Sequence, residues 1–294
     1  MKTNLKNLPA ILLLASALII TITSCKKDNN TSAPPSTDNG SAANMTAKGA
    51  TADNTYDDVF NVALQTGNEK NLDIMVQAPG KFATTGQGIE GSYYCASLTV
   101  SGSAFPVTLT VDFGSGCKSG DSITRSGSIT YVFSGRLSTP GTTISATFNN
   151  YIVNGYKVKG TYTIANTTTN INAPQLTTTV TNGNIVFPSD TAYSFSGTKT
   201  VSIASGSVAD ITTLVFNVTG KYNISSSYGD ALAVTATTPL EKKVVCKYID
   251  KGVLSFNYTK NSSTVSGTLD YGNGTCDNKA LVTIGSFTQT ITIR

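Results

Sequence analysis

Tyr151-Ile152-Val153-Asn154-Gly155-Tyr156-Lys157-Val158 places two β-branched and aromatic runs on either side of an Asn-Gly pair. Asn-Gly allows two consecutive residues with positive φ at little steric cost, and a tight two-residue hairpin needs just that. On the far side of the turn, Tyr156, Val158, Tyr162 and Ile164 alternate with Lys157, Lys159, Thr161 and Thr163. Upstream, Val107, Leu109, Val111 and Phe113 alternate with Thr108, Thr110 and Asp112, and Ile129, Tyr131 and Phe133 follow suit. Downstream, Leu214, Phe216, Val218, Tyr222 and Ile224 continue the period over one long segment. Successive strand side chains point to opposite faces, so one face is apolar and the other is a wet surface of Thr, Ser and Lys.

Asn182-Gly183, between residues 177–181 and 184–187, is read as a second hairpin turn, with Gly229-Asp230 and Lys251-Gly252 as further reversals. Sequential hairpins make a meander. The expected fold class is all-β, an antiparallel meander of about a dozen strands forming a sandwich or an open half-barrel. Glu241-Lys242-Lys243 is expected to protect an exposed strand with charge.

One short N-terminal helix is expected before the sheet. Tyr56, Val59, Phe60, Ala63 and Leu64 share a helical face, Thr55 and Asp58 fit a capping box, and Gly67 fits a stop. Such a face is expected to dock on the domain it precedes.

The N-terminus carries an address. Lys2 and Lys6 precede an apolar run from Leu8 to Ile20, and Ile22-Thr23-Ser24-Cys25 follows. Positive, apolar and small regions in that order form a cleaved export signal. The last four residues resemble the lipobox of bacterial lipoproteins, which implies lipidation of Cys25 and a permanent membrane anchor, because several acyl chains hold far more firmly than one. Lys26-Lys27-Asp28 resembles the charged sequence after the lipid cysteine in Bacteroidota lipoproteins. There it accompanies outer-membrane placement, on the periplasmic or cell-surface side. The expected organisation is a signal peptide over 1–24, a disordered tether over 25–54 and a helix plus all-β domain over 55–294, built either as one body or as two fused halves. The Asn, Thr, Ser, Ala and Pro of the tether offer too little apolar area to offset ordering.

Composition removes several functions. The chain has no His and no Trp, and 21 basic against 17 acidic residues. Without His there is no Ser-His-Asp hydrolase and no His-ligated zinc. The balanced charge shows no basic stripe, so nucleic acid is not an expected partner. Glycoside hydrolysis needs two carboxylates across a sugar site, yet Glu241 is the main Glu of the strand region and most Asp sit in turns. A glycan-acting enzyme is the least favoured class, and no catalytic residue or cofactor site is assigned.

Four cysteines remain after Cys25. Cys95 and Cys246 lie in strand-like runs, while Cys117 and Cys276 close Asp112-Phe113-Gly114-Ser115-Gly116-Cys117 and Asp270-Tyr271-Gly272-Asn273-Gly274-Thr275-Cys276. The same frame occurs twice, which favours Cys95 with Cys117 and Cys246 with Cys276. Pairing across the halves, Cys95 with Cys246 and Cys117 with Cys276, is the alternative. These frames, with Arg125-Ser126-Gly127, Phe148-Asn149-Asn150-Tyr151 and Asp58-Val59-Phe60, resemble a group of Bacteroidota outer-membrane lipoproteins without an assigned activity. The resemblance implies a setting and no mechanism.

The Asp- and Gly-rich loops supply the metal candidates. Asp112 with Asp121, and Asp270 with Asp277 and Asn278, offer hard oxygens suited to Ca²⁺. The simpler alternative is that each side chain bonds its own turn backbone. The expected function is non-enzymatic: a binding, adhesion or envelope-structural module facing an unidentified surface or envelope ligand. Tyr93, Tyr94, Tyr151 and Tyr156 could furnish contact area. The alternative is a carrier of a lipid or other apolar ligand in an open half-barrel, and an unfilled apolar hollow would mark it.

Overall fold

The computed structural model describes residues 37–70, 72, 95–170, 172–207 and 210–294. The export signal, Cys25, Tyr93 and Tyr94 lie outside the described residues. Residues 35–294 form one unit.

One long helix, α1 (Thr37–Glu69), precedes the strands. The first half of the sheet comprises β1 (Ser97–Ser101), β2 (Val107–Asp112), β3 (Cys117–Lys118), β4 (Thr124–Phe133), β5 (Thr143–Val153), β6 (Tyr156–Asn166) and β7 (Gln175–Val186). Then come β8 (Ala192–Ser207), β9 (Asp210–Ser226), β10 (Ala231–Ala236) and β11 (Leu240–Lys243). The last four are β12 (Lys251–Lys260), β13 (Ser263–Asn273), β14 (Lys279–Ile284) and β15 (Phe287–Thr292). All belong to a single antiparallel sheet in chain order, with β3 and β11 as short additions off the main path. One continuous sheet is not a sandwich of two. The expected meander is present, and its concave side packs on a helix.

That helix corrects two expectations. Residues 37–54, read as tether, form its first half, and it is far longer than the short helix expected at 55. Most of its length is buried: Ala42, Ala43, Met45, Ala50, Ala52, Val59, Val62 and Ala63 all lie in the core. It meets β6, β9, β10 and β12 through β15. The composition that looked too polar for a core works because its polarity is hidden. The hydroxyls of Thr46, Thr55 and Thr66 donate to the carbonyls of Ala42, Thr51 and Val62 one turn back. Ala is the best helix former, and small side chains let the helix sit close to the sheet. A Cβ at Gly49 would lie 2.9 Å from Leu232 Cδ2 and 3.2 Å from the Tyr222 ring. Thr55 is therefore mid-helix rather than a cap, and Gly67 lies within the last turn, where its carbonyl accepts the Leu72 N–H.

The Asn154-Gly155 turn forms as expected, with φ of 50° and 86°, joining β5 to β6. Asn182-Gly183 does not turn the chain. It is a bulge inside β7, where the pairing with β6 slips between Lys159 and Thr161. Asn182, at φ 50°, faces Gly160, where a Cβ would lie 2.7 Å from the Asn182 carbonyl oxygen. Asn150 and Gly127 repeat this between β5 and β4. Bulges bend strands and increase twist, which curls one sheet around a helix. Lys251-Gly252 likewise opens β12 with a bulge and reverses nothing. Glu241-Lys242-Lys243 guards no free edge, since β11 pairs with both β9 and β12 and Lys242 is buried.

Candidate functional site

Three carboxylates on α1 meet cations from the sheet. Asp53 and Asp57, one turn apart, both pair with Lys199 of β8, at 2.9 Å in the case of Asp53, and Lys242 of β11 lies 3.8 Å from Asp57. Burial pushes the Asp53 carboxyl above its usual range, and the two carboxylates hold the Lys199 ammonium well above its own despite burial. On the neighbouring face, Asp58 receives Arg125 Nε at 2.9 Å and Nη2 at 2.5 Å, with the Tyr151 hydroxyl donating to it at 2.6 Å. Arg125 also reaches Asp121, at 2.8 Å. Tyr131 and Tyr56 donate their hydroxyls to the carbonyls of Val59 and Lys159. The helix is thus fixed by charge as well as by packing. A buried charge with no partner is costly, so each of these pairs specifies one docking position.

Above the Asp58–Arg125 pair lies a cleft of about 250 Å³. Its floor is one face of α1, carrying Asn54, Thr55, Asp58, Asn61 and Gln65. One lip comes from the loop at 120–123 together with Asn154; the other comes from 244–247 and Arg294. The repeated cysteine frames flank these lips. Cys95 and Cys117 sit with Cα atoms 5.9 Å apart, and Cys246 and Cys276 at 5.7 Å, both at bonding distance. Cys95 Sγ lies 3.3 Å from the Ser119 hydroxyl at the base of the first lip, and Cys246 lines the second. The within-frame pairing, rather than the cross-half one, is the arrangement present.

The proposed calcium ligands are spread along turns. Asp112, Asp121, Asp270 and Asp277 each accept a backbone N–H two residues on, from Gly114, Ile123, Gly272 and Lys279. The Asn278 carbonyl accepts the Ile293 N–H. Among the described residues, no three acidic or Cys side chains converge. In the second frame, Lys243 Nζ donates to the Gly274 carbonyl at 2.8 Å and lies 3.1 Å from buried Asp250, a cation's position between two oxygens. Glu241, the sequence's main Glu, pairs with Lys251 at 2.8 Å.

Sequence reading found Asp121 as a turn residue and Asp58 as a cap, and missed that Arg125 joins them. It also missed Asn54 and Asn61. Their i, i+7 spacing on one helix face was the available signal, hidden because the segment before 55 did not read as helix.

No protein-family model matches the chain, and no curated protein or solved structure is significantly similar to it. No helix among the described residues is long and apolar enough to cross a membrane.

Proposed function

We propose that this protein is a lipid-anchored outer-membrane module that binds an envelope or cell-surface ligand and performs no chemistry on it. The observation that carries this reading is the filling of the sheet's concave side by α1, which places the cleft at the rim, between two cysteine-stapled lips. A carrier needs a hollow, and here Tyr56, Val59, Phe60 and Leu64 occupy the space where an apolar cargo would lie. Asp58 and Asp121, the carboxylates of the cleft, share one guanidinium, so neither is arranged as half of an acid–base pair. A rigid scaffold presenting loops is the usual architecture of recognition modules. The anchor rests on Ile22-Thr23-Ser24-Cys25, and the bacterial setting on the resemblance to Bacteroidota lipoproteins.

Fractionation and mass spectrometry test both halves. The wild type is expected in the outer-membrane fraction with an acylated residue 25, and Cys25→Ser in the soluble fraction. Native mass spectrometry of the folded domain is expected to find it empty. A stoichiometric co-purified lipid would replace this reading with the carrier.

A further inference from the structure

We infer that the cleft over α1 takes an acidic oligosaccharide segment, its floor bonding sugar hydroxyls and one lip holding a carboxylate; this rests on the binding-module reading above. The floor presents carboxamides. Asn54 and Asn61 lie seven residues apart on one helix face, about 10.5 Å along the axis. Neither makes a side-chain hydrogen bond among the described residues, and both are half-buried in the cleft. A carboxamide offers a donor and an acceptor in one plane, which matches a pair of neighbouring hydroxyls. Thr55 is already satisfied by the carbonyl of Thr51, so these amides are the floor groups left to face a ligand.

The two lips differ in charge. Asp121, on the first, shares the single Arg125 guanidinium with Asp58, which leaves that side net negative. Lys247 and Arg294, on the second, have no carboxylate partner among the described residues, and Lys247 only overlies the Tyr248 ring at 5.3 Å. The second lip therefore presents two cationic side chains with no acidic side chain against them, and an anionic group on the ligand would complete them. Apolar cover is thin. Val245, 65% exposed, is among the described residues the one large apolar side chain standing open at the lip, enough for a sugar's C–H face but not for the side-chain pockets that anchor a peptide. Tyr156 is 6% exposed with its ring packed edge-on against Phe187, so the described residues of the cleft offer no stacking platform. Charge and amide contacts must therefore carry recognition, which separates this cleft from one built for neutral sugars.

The test uses the folded domain and three probes in calorimetry: a galacturonic acid tetrasaccharide, the same tetrasaccharide methyl-esterified, and tetraglutamate. The acidic sugar is expected to bind, the ester at least tenfold more weakly, and tetraglutamate not measurably. Lys247→Ala and Arg294→Ala are each expected to weaken binding several-fold and to flatten its salt dependence. Asn61→Ala is expected to weaken the acidic sugar and the ester by the same factor, with an unchanged circular dichroism spectrum in all three variants. Equal affinity for the ester, comparable binding of tetraglutamate, or no binding by any probe would each overturn the inference. In all three cases the binding-module reading stands or falls separately, on fractionation and on whether lipid co-purifies.

Discussion

Arg125 grips Asp58 with two parallel N–H···O bonds, although 67 positions separate them in the chain. The guanidinium is fully buried, and its remaining donors reach Asp121 on the cleft's lip. One side chain therefore ties the helix, the sheet and a loop of the candidate site together. Arg suits this place because its planar fork matches a carboxylate bidentately, which an ammonium cannot do.

Arg125→Met is expected to destabilise the domain by about 3–5 kcal/mol, because it strands the Asp58 charge in the core. Urea unfolding measures this. The double variant Arg125→Met, Asp58→Leu is expected to recover a large part of the loss, since no buried charge then remains. If Arg125→Met alone unfolds at the wild-type urea concentration, the pair is not a fixing point.

A variant lacking residues 37–54 is expected not to fold. It removes Ala42, Ala43, Met45 and Ala50 from the core and opens the concave face of the sheet. Proteolysis and near-ultraviolet circular dichroism report the outcome. A protease-resistant product with native dichroism would restore the view of this stretch as a tether.

Alkaline pH is expected to unfold the protein cooperatively. Burial raises the hydroxyl pKa of Tyr56, Tyr151, Tyr162, Tyr222 and Tyr271 above the ordinary value of 10.0. The folded chain keeps these protons where the unfolded chain releases them. Their contribution is full below pH 10 and is lost as pH rises towards the folded values, at about 1.4 kcal/mol per pH unit for each group. Lys199, also raised, acts in the same direction from its own ordinary value of 10.5. Tyrosinate absorbance and dichroism should change together in one steep step. Gradual ionisation of all the tyrosines near pH 10 in a folded protein would contradict the burial described.

Replacing both Cys246 and Cys276 by Ser is expected to lower stability by about 3 kcal/mol through the freed loop entropy. It is also expected to loosen the lip at 244–247, measured as faster amide exchange there than at 120–123. Non-reducing peptide maps of the wild type should yield Cys246 joined to Cys276 and Cys95 joined to Cys117. Recovery of Cys95 joined to Cys246 would overturn the pairing.

The strands could be read from the chain because alternation is local: Leu109, Val111 and Tyr131 face inward whatever surrounds them, and Asn154-Gly155 turns on its own backbone preferences. The repeated Asp-aromatic-Gly frames likewise marked which cysteines belong together. Bulges escaped, because Asn182-Gly183 has the chemistry of a turn, and only the strands on either side decide whether the chain reverses or bends. The helix over 37–54 escaped for a related reason. Its Ala and Thr residues carry no apolar stripe, and they are buried only because a curled sheet encloses them, with Lys199 partnering the charge of Asp53. Local periodicity thus determined the strands, the hairpin and the cysteine frames. Tertiary structure alone decided which polar residues lie in the core and which line the cleft, because the partners that make burial tolerable, as Arg125 does for Asp58, come from far along the chain.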